Sequence, residues 1–565
     1  MRVNAYRREA SIQEPMSLPP VLARVLTLLS LGAALLPAWA APLPDSASAL
    51  EQRLAERLGG DRGGACVQAA VIERDRVVRG SGCAGTRGDR APAPDAAFEI
   101  GSVSKTMTAF LVAGLIERGR WSLDDPIARH LPEGTTVPRQ GERQILVRDL
   151  LTHSAGLPGL PPGMPMPKPD DPYAALTEAQ LLDALGRVTL ARPIGSRAEY
   201  SNFGMMLVSL AAARSLGGDL EAALRERLFA PLGMGGAYVT RPLAARPAQG
   251  HLPGGAATSA WTITPNLAGV GMVKATLDDM VRYAQAELGS LPDVPAALTA
   301  ALRLTQQPLA HGFAMNWVVS RQQGRELRMH DGGTGGFSSL VVLEPGAQRA
   351  VVLLADTALE DLGGLGDLGL ALLGLDVPLR PRREVAMPPA LRQALVGDWE
   401  VGGMTLHIRE ADDGRLLAQA RGDSEFELRQ DSRGDLYPTS FSALLRLERP
   451  EAEGRPVQRL SWHQGGGMMQ GRRVEAAPAI ANPAWRDWAG EYQLAPQFSL
   501  RVFERDGRLM VQGSGQPAIA AEPVGADRIE IKVVGAVVEF ERDAAGQVVA
   551  AQLRQNGQVL RGARR

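Results

Sequence analysis

The chain has 565 residues, room for three or four domains at about 150 residues each. Hydrophobic residues at 45% and charged ones at 22% exclude a disordered or a collagen-like chain. With 61 basic residues against 62 acidic ones, composition carries no footprint for nucleic acid or an anionic membrane.

Residues 1–40 read as a signal peptide. Arg2, Arg7, Arg8 and Arg24 supply positive charge, Val25 to Leu36 is apolar but short for a bilayer, and Ala38-Trp39-Ala40 is an A-x-A cleavage site. The mature chain is expected to start near Ala41, with Met1 or Met16 as the true start; a retained anchor is the other reading. Export places the protein in a secreted or periplasmic setting, where disulfides persist. The two cysteines, Cys66 and Cys83, mirror each other about Arg74-Asp75. In a two-residue hairpin centred there they would be directly opposed, which predicts a cross-strand disulfide; two buried thiols are the alternative.

A helical stretch (Ser46 to Leu58) precedes this hairpin. Helical patterns then dominate from Lys105 to about Leu232, broken by a proline-dense segment, 158–172, that cannot be a helix interior or a central strand. That segment is either an apolar lip over a site or a solvent-exposed connection. Strands return at Ser338 to Leu343 and Arg349 to Leu354. Strands bracketing a helical block predict one mixed sheet, drawn from both ends of the segment 45–378, with an inserted helical subdomain: an α/β (α+β) domain.

Prolines 378, 381, 388 and 389 mark a linker over 379–389. Beyond it the chain repeats itself at an offset of 93. Gly397 and Trp399 correspond to Gly490 and Tyr492, Asp413-Gly414-Arg415-Leu416 to Asp506-Gly507-Arg508-Leu509, and Leu460 to Leu553. These predict two tandem antiparallel β-barrel-like units, 390–475 and 485–565.

Three motifs carry chemistry. Ser102-Val103-Ser104-Lys105 opens an apolar helix and puts Ser102 and Lys105 on one face. A serine hydroxyl needs a base, and lysine serves only where burial or positive neighbours lower its pKa. Lysine is scarce here: Lys105, Lys168, Lys274 and Lys532 are all there are. Tyr200-Ser201-Asn202 supplies a phenol that can relay protons and an amide that can hold the lysine or a substrate carbonyl. His330-Asp331-Gly332-Gly333 crowds glycines at a strand edge where a substrate backbone could lie closely. No GxSxG elbow, phosphate-binding glycine loop or metal-ligand cluster is present in the sequence, and no cofactor is implied.

The stretches Phe98 to Thr106, Leu150 to Pro158, Tyr200 to Asn202, Pro231 to Met234 and His330 to Phe337 make residues 50–375 resemble the serine β-lactamase-related family. That family includes class C β-lactamases, penicillin-binding-protein-like D-alanyl-D-alanine peptidases and esterases. The resemblance implies Ser102 as acylated nucleophile, Lys105 as its base and Tyr200 as proton relay. It further implies Asn202, His330 and Gly332 as substrate-binding residues, the N–H groups of Ser102 and Gly333 as oxyanion hole, and His153 as a structural histidine. The C-terminal β units resemble lipocalin-like appendages. Histidine replaces the usual lysine of the third motif and is only partly charged near pH 7, which moves the expected activity from β-lactams toward peptides and esters. The expected function is an exported serine hydrolase acting on small amides, esters or peptidoglycan-derived peptides, without nucleic acid or a membrane span. A D-alanyl-D-alanine carboxypeptidase, a β-lactamase proper, and a non-catalytic binding or sensor protein are the alternatives.

Overall fold

The computed structural model describes residues 42–85, 91–168, 170–242, 246–420, 424–441, 443–448, 457–464, 467–474, 484–505, 507–555 and 558–565. The expected signal peptide, Pro169 of the proline-dense segment, residue 475 and Asp506 of the second D-G turn lie outside the described residues.

A six-stranded antiparallel sheet organises the first domain, in the order Arg76–Cys83, Cys66–Glu73, Arg349–Ala355, Ser338–Glu344, Arg325–Gly333, Val318–Gln322. Its strands come from both ends of the segment, as the bracketing pattern implies, and the sequence reading missed the last two. Its central strands are near-continuous apolar runs because both faces are covered. Ala70, Ile72, Val341, Leu343, Val352 and Leu354 point into the large helical core. Their alternating neighbours Val67, Ala69, Val71, Leu340, Val342, Val351 and Leu353 meet Leu50, Leu54 and Leu58 of the helix Ala47–Leu58, and Leu368 and Leu372 of the helix Gly366–Leu372. Period-two alternation thus sorts one strand's residues between two cores. Cys66 and Cys83, 17 positions apart in the chain, are paired in register across a two-residue turn at Arg74-Asp75 and are disulfide-bonded. Ser104–Glu117 and Asn202–Ser215 are buried nearly all round, because they fill the middle of the inserted subdomain.

The expected linker is built into the molecule. Glu384–Val385 pairs with Gln430 and Asp431, and Arg382 is 2% exposed. The Arg382 guanidinium lies 2.8 Å from Asp431 and 2.7 Å from Asp435, and its backbone N–H donates to Asp61 of the first domain. Proline density signalled the break in periodicity; buried charge pairing, which leaves no periodic trace, turned that stretch into a rivet.

The first β unit is a nine-stranded sheet that closes on itself where Phe426–Asp431 pairs Leu436–Pro438. An apolar hollow lined by Val401, Leu406, Phe426, Phe441, Trp462 and Met469 opens in it, and none of the three motifs contributes. The second unit is also nine-stranded and joins its first strand to its last through Tyr492 and Arg564. No helix among the described residues is long and apolar enough to cross a membrane.

Candidate active site

Ser102 sits in a single 3₁₀ turn, Gly101–Val103, from which the helix Ser104–Glu117 continues. The turn is sharp: Gly101 has φ +50°, and a Cβ there would lie 2.6 Å from the backbone nitrogen of Gly333. A Cβ on Gly332 would lie 2.1 Å from the carbonyl oxygen of Ile100, so the third motif needs glycine where its strand edge presses on the serine turn. Ser339 donates to the Ile100 carbonyl at 2.7 Å, and the Ile100 N–H donates to Val273 at 3.0 Å, locking the turn between two segments distant in sequence.

Lys105 Nζ is 2.8 Å from Ser102 Oγ and donates to the Val270 carbonyl at 2.7 Å. Val270, which the sequence reading missed, therefore orients the amine, whereas Asn202 donates to the Tyr173 hydroxyl at 3.3 Å. Lys105 has no exposed surface, and burial lowers its pKa to about 7, with Glu360 and Asp331 pulling the other way. Near neutral pH a large fraction of it is the free amine, the form that accepts a proton.

Tyr200 lies over this pair, its ring centroid 4.8 Å from Lys105 Nζ. The residue is 42% exposed, yet the packed walls around its phenol hold the pKa above the usual range; a hydrogen bond with Ser102 opposes this, and Asp331 and Glu360 add to it. His153 supports the ring from beneath at 4.5 Å between centroids, accepts the Ser201 N–H on Nδ1 at 3.2 Å, and packs edge-on to Phe313. Burial lowers its pKa to about 3, so it is a neutral platform. Ser201 caps the helix Asn202–Ser215 through the Gly204 N–H and donates to the Pro158 carbonyl at 2.7 Å. The start of the proline-dense segment is thereby tied to the site, and Tyr173 just beyond it returns to Asn202.

His330 is buried, and burial together with Lys105 pushes its pKa down. A carbonyl can only accept, so the 2.7 Å contact with the Asp331 oxygen puts the ring hydrogen on Nδ1. His330 is thus a neutral ring with Nε2 as an unpaired acceptor, and this corrects the expectation of partial charge: burial outweighs the ordinary solution pKa. Asn202 Oδ1 is likewise buried without a partner. Glu360, also missed, packs its carboxylate where a Gly333 Cβ would lie, 2.4 Å from that position.

Three groups of the kind that acyl transfer uses, a hydroxyl, a partly neutral amine and a phenol, therefore meet beside two glycine-edged backbone segments. The β-lactamase family model matches residues 50–373, and the chain belongs to this family of serine hydrolases. It is 31% identical to penicillin-binding protein 4 of Amycolatopsis lactamdurans over 52% of this chain and 81% of that protein. It is 27% identical to the D-alanyl-D-alanine-carboxypeptidase/endopeptidase AmpH of Escherichia coli K12 over 59% of this chain and 91% of that one. Among solved structures, a class C β-lactamase from Rhodobacter sphaeroides is similar at 24% identity with a TM-score of 0.45, covering 55% of this chain and 94% of its own.

Proposed function

We propose that this protein is an exported peptidase or esterase that works through an acyl-enzyme on Ser102. The observation that carries the reading is the 2.8 Å contact between Ser102 and a wholly buried Lys105. Neutral Lys105 takes the hydroxyl proton as Ser102 attacks an amide or ester carbonyl. The N–H groups of Ser102 and Gly333 stabilise the oxyanion, and Tyr200 passes a proton to the leaving group. Tyr200 then regains a proton from Lys105, water attacks the acyl carbonyl while its proton passes through Tyr200 to Lys105, and that proton returns to Ser102 Oγ as the acyl group leaves as an acid. The disulfide agrees with export, and the relatives that carry peptidase and penicillin-binding names agree with a D-alanyl peptide as one substrate type.

Ser102→Ala is expected to abolish hydrolysis of p-nitrophenyl esters and peptide amides and to remove labelling by a fluorophosphonate probe. Unchanged turnover and labelling would refute the assignment. In the wild type, kcat/KM should climb with pH through about 7, because acid protonates Lys105 and removes the base. A pH-independent rate between 5.5 and 8.5 (a range set by the expected transition) would exclude Lys105 from that role.

A further inference from the structure

The apolar hollow of the first β unit has no task in acyl transfer. Its volume is about 280 Å³, and Met404 of its lining is 51% exposed, so it reaches the surface. Aromatic rings dominate its wall. Phe426 meets Phe441 at 5.0 Å and Trp462 at 6.2 Å between centroids, both edge-on, and Phe441 lies 6.1 Å from Trp462. The Trp462 Nε1 hydrogen goes to Gln464 at 3.1 Å, so the indole turns a satisfied, apolar surface to the hollow. Protein interiors are close-packed, and side chains lining an empty space forgo dispersion contacts on that side.

The second β unit fills the corresponding place with a ring of its own. Trp399 pairs across its strand with Leu406, and Leu406 pairs onward with Ala420. In the second unit Tyr492 pairs with Leu500, and Leu500 with Gly513. Two residues before these leucines stand Met404 and Phe498. Met404 and Ala420 line the open hollow. Phe498 instead lies over Gly513, where a Cβ would come within 3.0 Å of the phenyl ring, and it packs against the core of its unit, as do Ile519 and Leu560. One copy thus closes this place with a phenyl ring on a glycine. The other carries an exposed methionine there, above a wall of aromatic rings.

We propose that the first β unit binds a small uncharged aromatic molecule in this hollow, its ring packing against Phe426, Phe441 and Trp462 as Phe498 packs in the second unit. An apolar cavity of roughly 150 Å³ holds benzene, so this one has room for about two fused rings. Ring-on-ring packing favours an aromatic guest over an aliphatic one of equal size. Among the described residues lining the hollow none is charged, and an unpaired charge would be costly there. The two methionines, Met404 and Met469, let the wall adjust to the guest.

N-phenyl-1-naphthylamine, an uncharged fluorescent aryl amine, should bind the full chain saturably with a gain in emission. 2-Naphthol should displace it at a concentration at least about tenfold below that of 1-octanol, the scale of two or three ring contacts. Met404→Phe combined with Ala420→Gly copies the second unit and should weaken the probe at least about tenfold at an unchanged melting temperature. Trp462→Leu and Phe441→Leu keep an apolar wall and should each weaken it several-fold, which serves should the double variant fail to fold. Absence of saturable binding, equal displacement by 1-octanol, or native affinity in a folded double variant would overturn the proposal. Blocking Ser102 with a fluorophosphonate should leave binding unchanged; a loss would put the probe in the catalytic cleft and overturn the proposal without touching the nucleophile.

Discussion

The two β units use one internal device and two different attachments. In the first, Trp399 Nε1 donates to the Leu395 carbonyl at 2.9 Å, and Arg473 from the closing strand stacks on that indole while donating to Ala394, Val396 and Val457. In the second, the Tyr492 hydroxyl donates to the Trp488 carbonyl at 2.6 Å, and Arg564 donates to Ala489 and Val548. Each short entry helix (Pro389–Leu395 and Ala484–Trp488) is thus fastened by one aromatic and one arginine. The attachments differ. The first unit places Asp431 and Asp435 around Arg382, Asp431 also meets Arg62, Arg62 lies 3.6 Å over the Tyr437 ring, and Leu444 enters the hydrolase's outer core. Among the described residues no buried ion pair joins the second unit to the rest; a long pair, Arg508 to Asp398 at 3.9 Å, reaches across with Arg508 57% exposed. The latch that fastens the entry helix recurs in both units, while the buried docking contacts belong to the first.

The sharpest way to break this contrast is Asp431→Ala. It strands Arg62, leaves Arg382 with Asp435 as its remaining carboxylate at a buried junction, and should cost about 3–5 kcal/mol, read as a lower denaturant midpoint for the hydrolase and first unit together. A loss below about 1 kcal/mol would mean that the junction is solvated and the rivet reading wrong. Trp399→Ala and Tyr492→Ala compare the two latches, each removing a wholly buried ring at a cost of about 3–5 kcal/mol to its own unit. Trp399→Ala should also lower the temperature at which hydrolysis is lost, because its unit shares buried contacts with the hydrolase. Tyr492→Ala should leave that temperature where it was while shifting a separate calorimetric transition; parallel losses of activity would abolish the distinction. The smallest effect belongs to Arg508→Ala, within about 0.5 kcal/mol, as for other exposed pairs. A larger change in the melting temperature of either unit would reveal a tighter contact between them.

Much of the site was legible because its chemistry is local. Ser102 and Lys105 are three apart, and any helical continuation brings them together. Lysine's scarcity singled out Lys105, for which arginine could not serve, since arginine does not release its proton. The residues that tune these groups were not legible. Val270 offers a backbone carbonyl, which any residue type supplies equally. Glu360 follows the strand Arg349–Ala355 and touches Gly333 only because that strand lies two places from Arg325–Gly333 in the sheet. His330 looked half-charged because its neighbours in sequence say nothing of its burial.

The sequence by itself determined the family and the order of sheet and helical insert, and it pointed to a tandem repeat and to candidate reacting groups. These depend on periodicity, spacing and residue type, which are properties of a linear pattern. Tertiary structure alone decided that Lys105 is wholly buried, that His330 is buried with its Nδ1 hydrogen on the Asp331 carbonyl, and that Arg382 of the otherwise mostly exposed stretch 379–389 makes a buried junction. Each of these is a matter of solvent exclusion and of distance between residues far apart in the chain, and solvent exclusion is a property of the packed molecule.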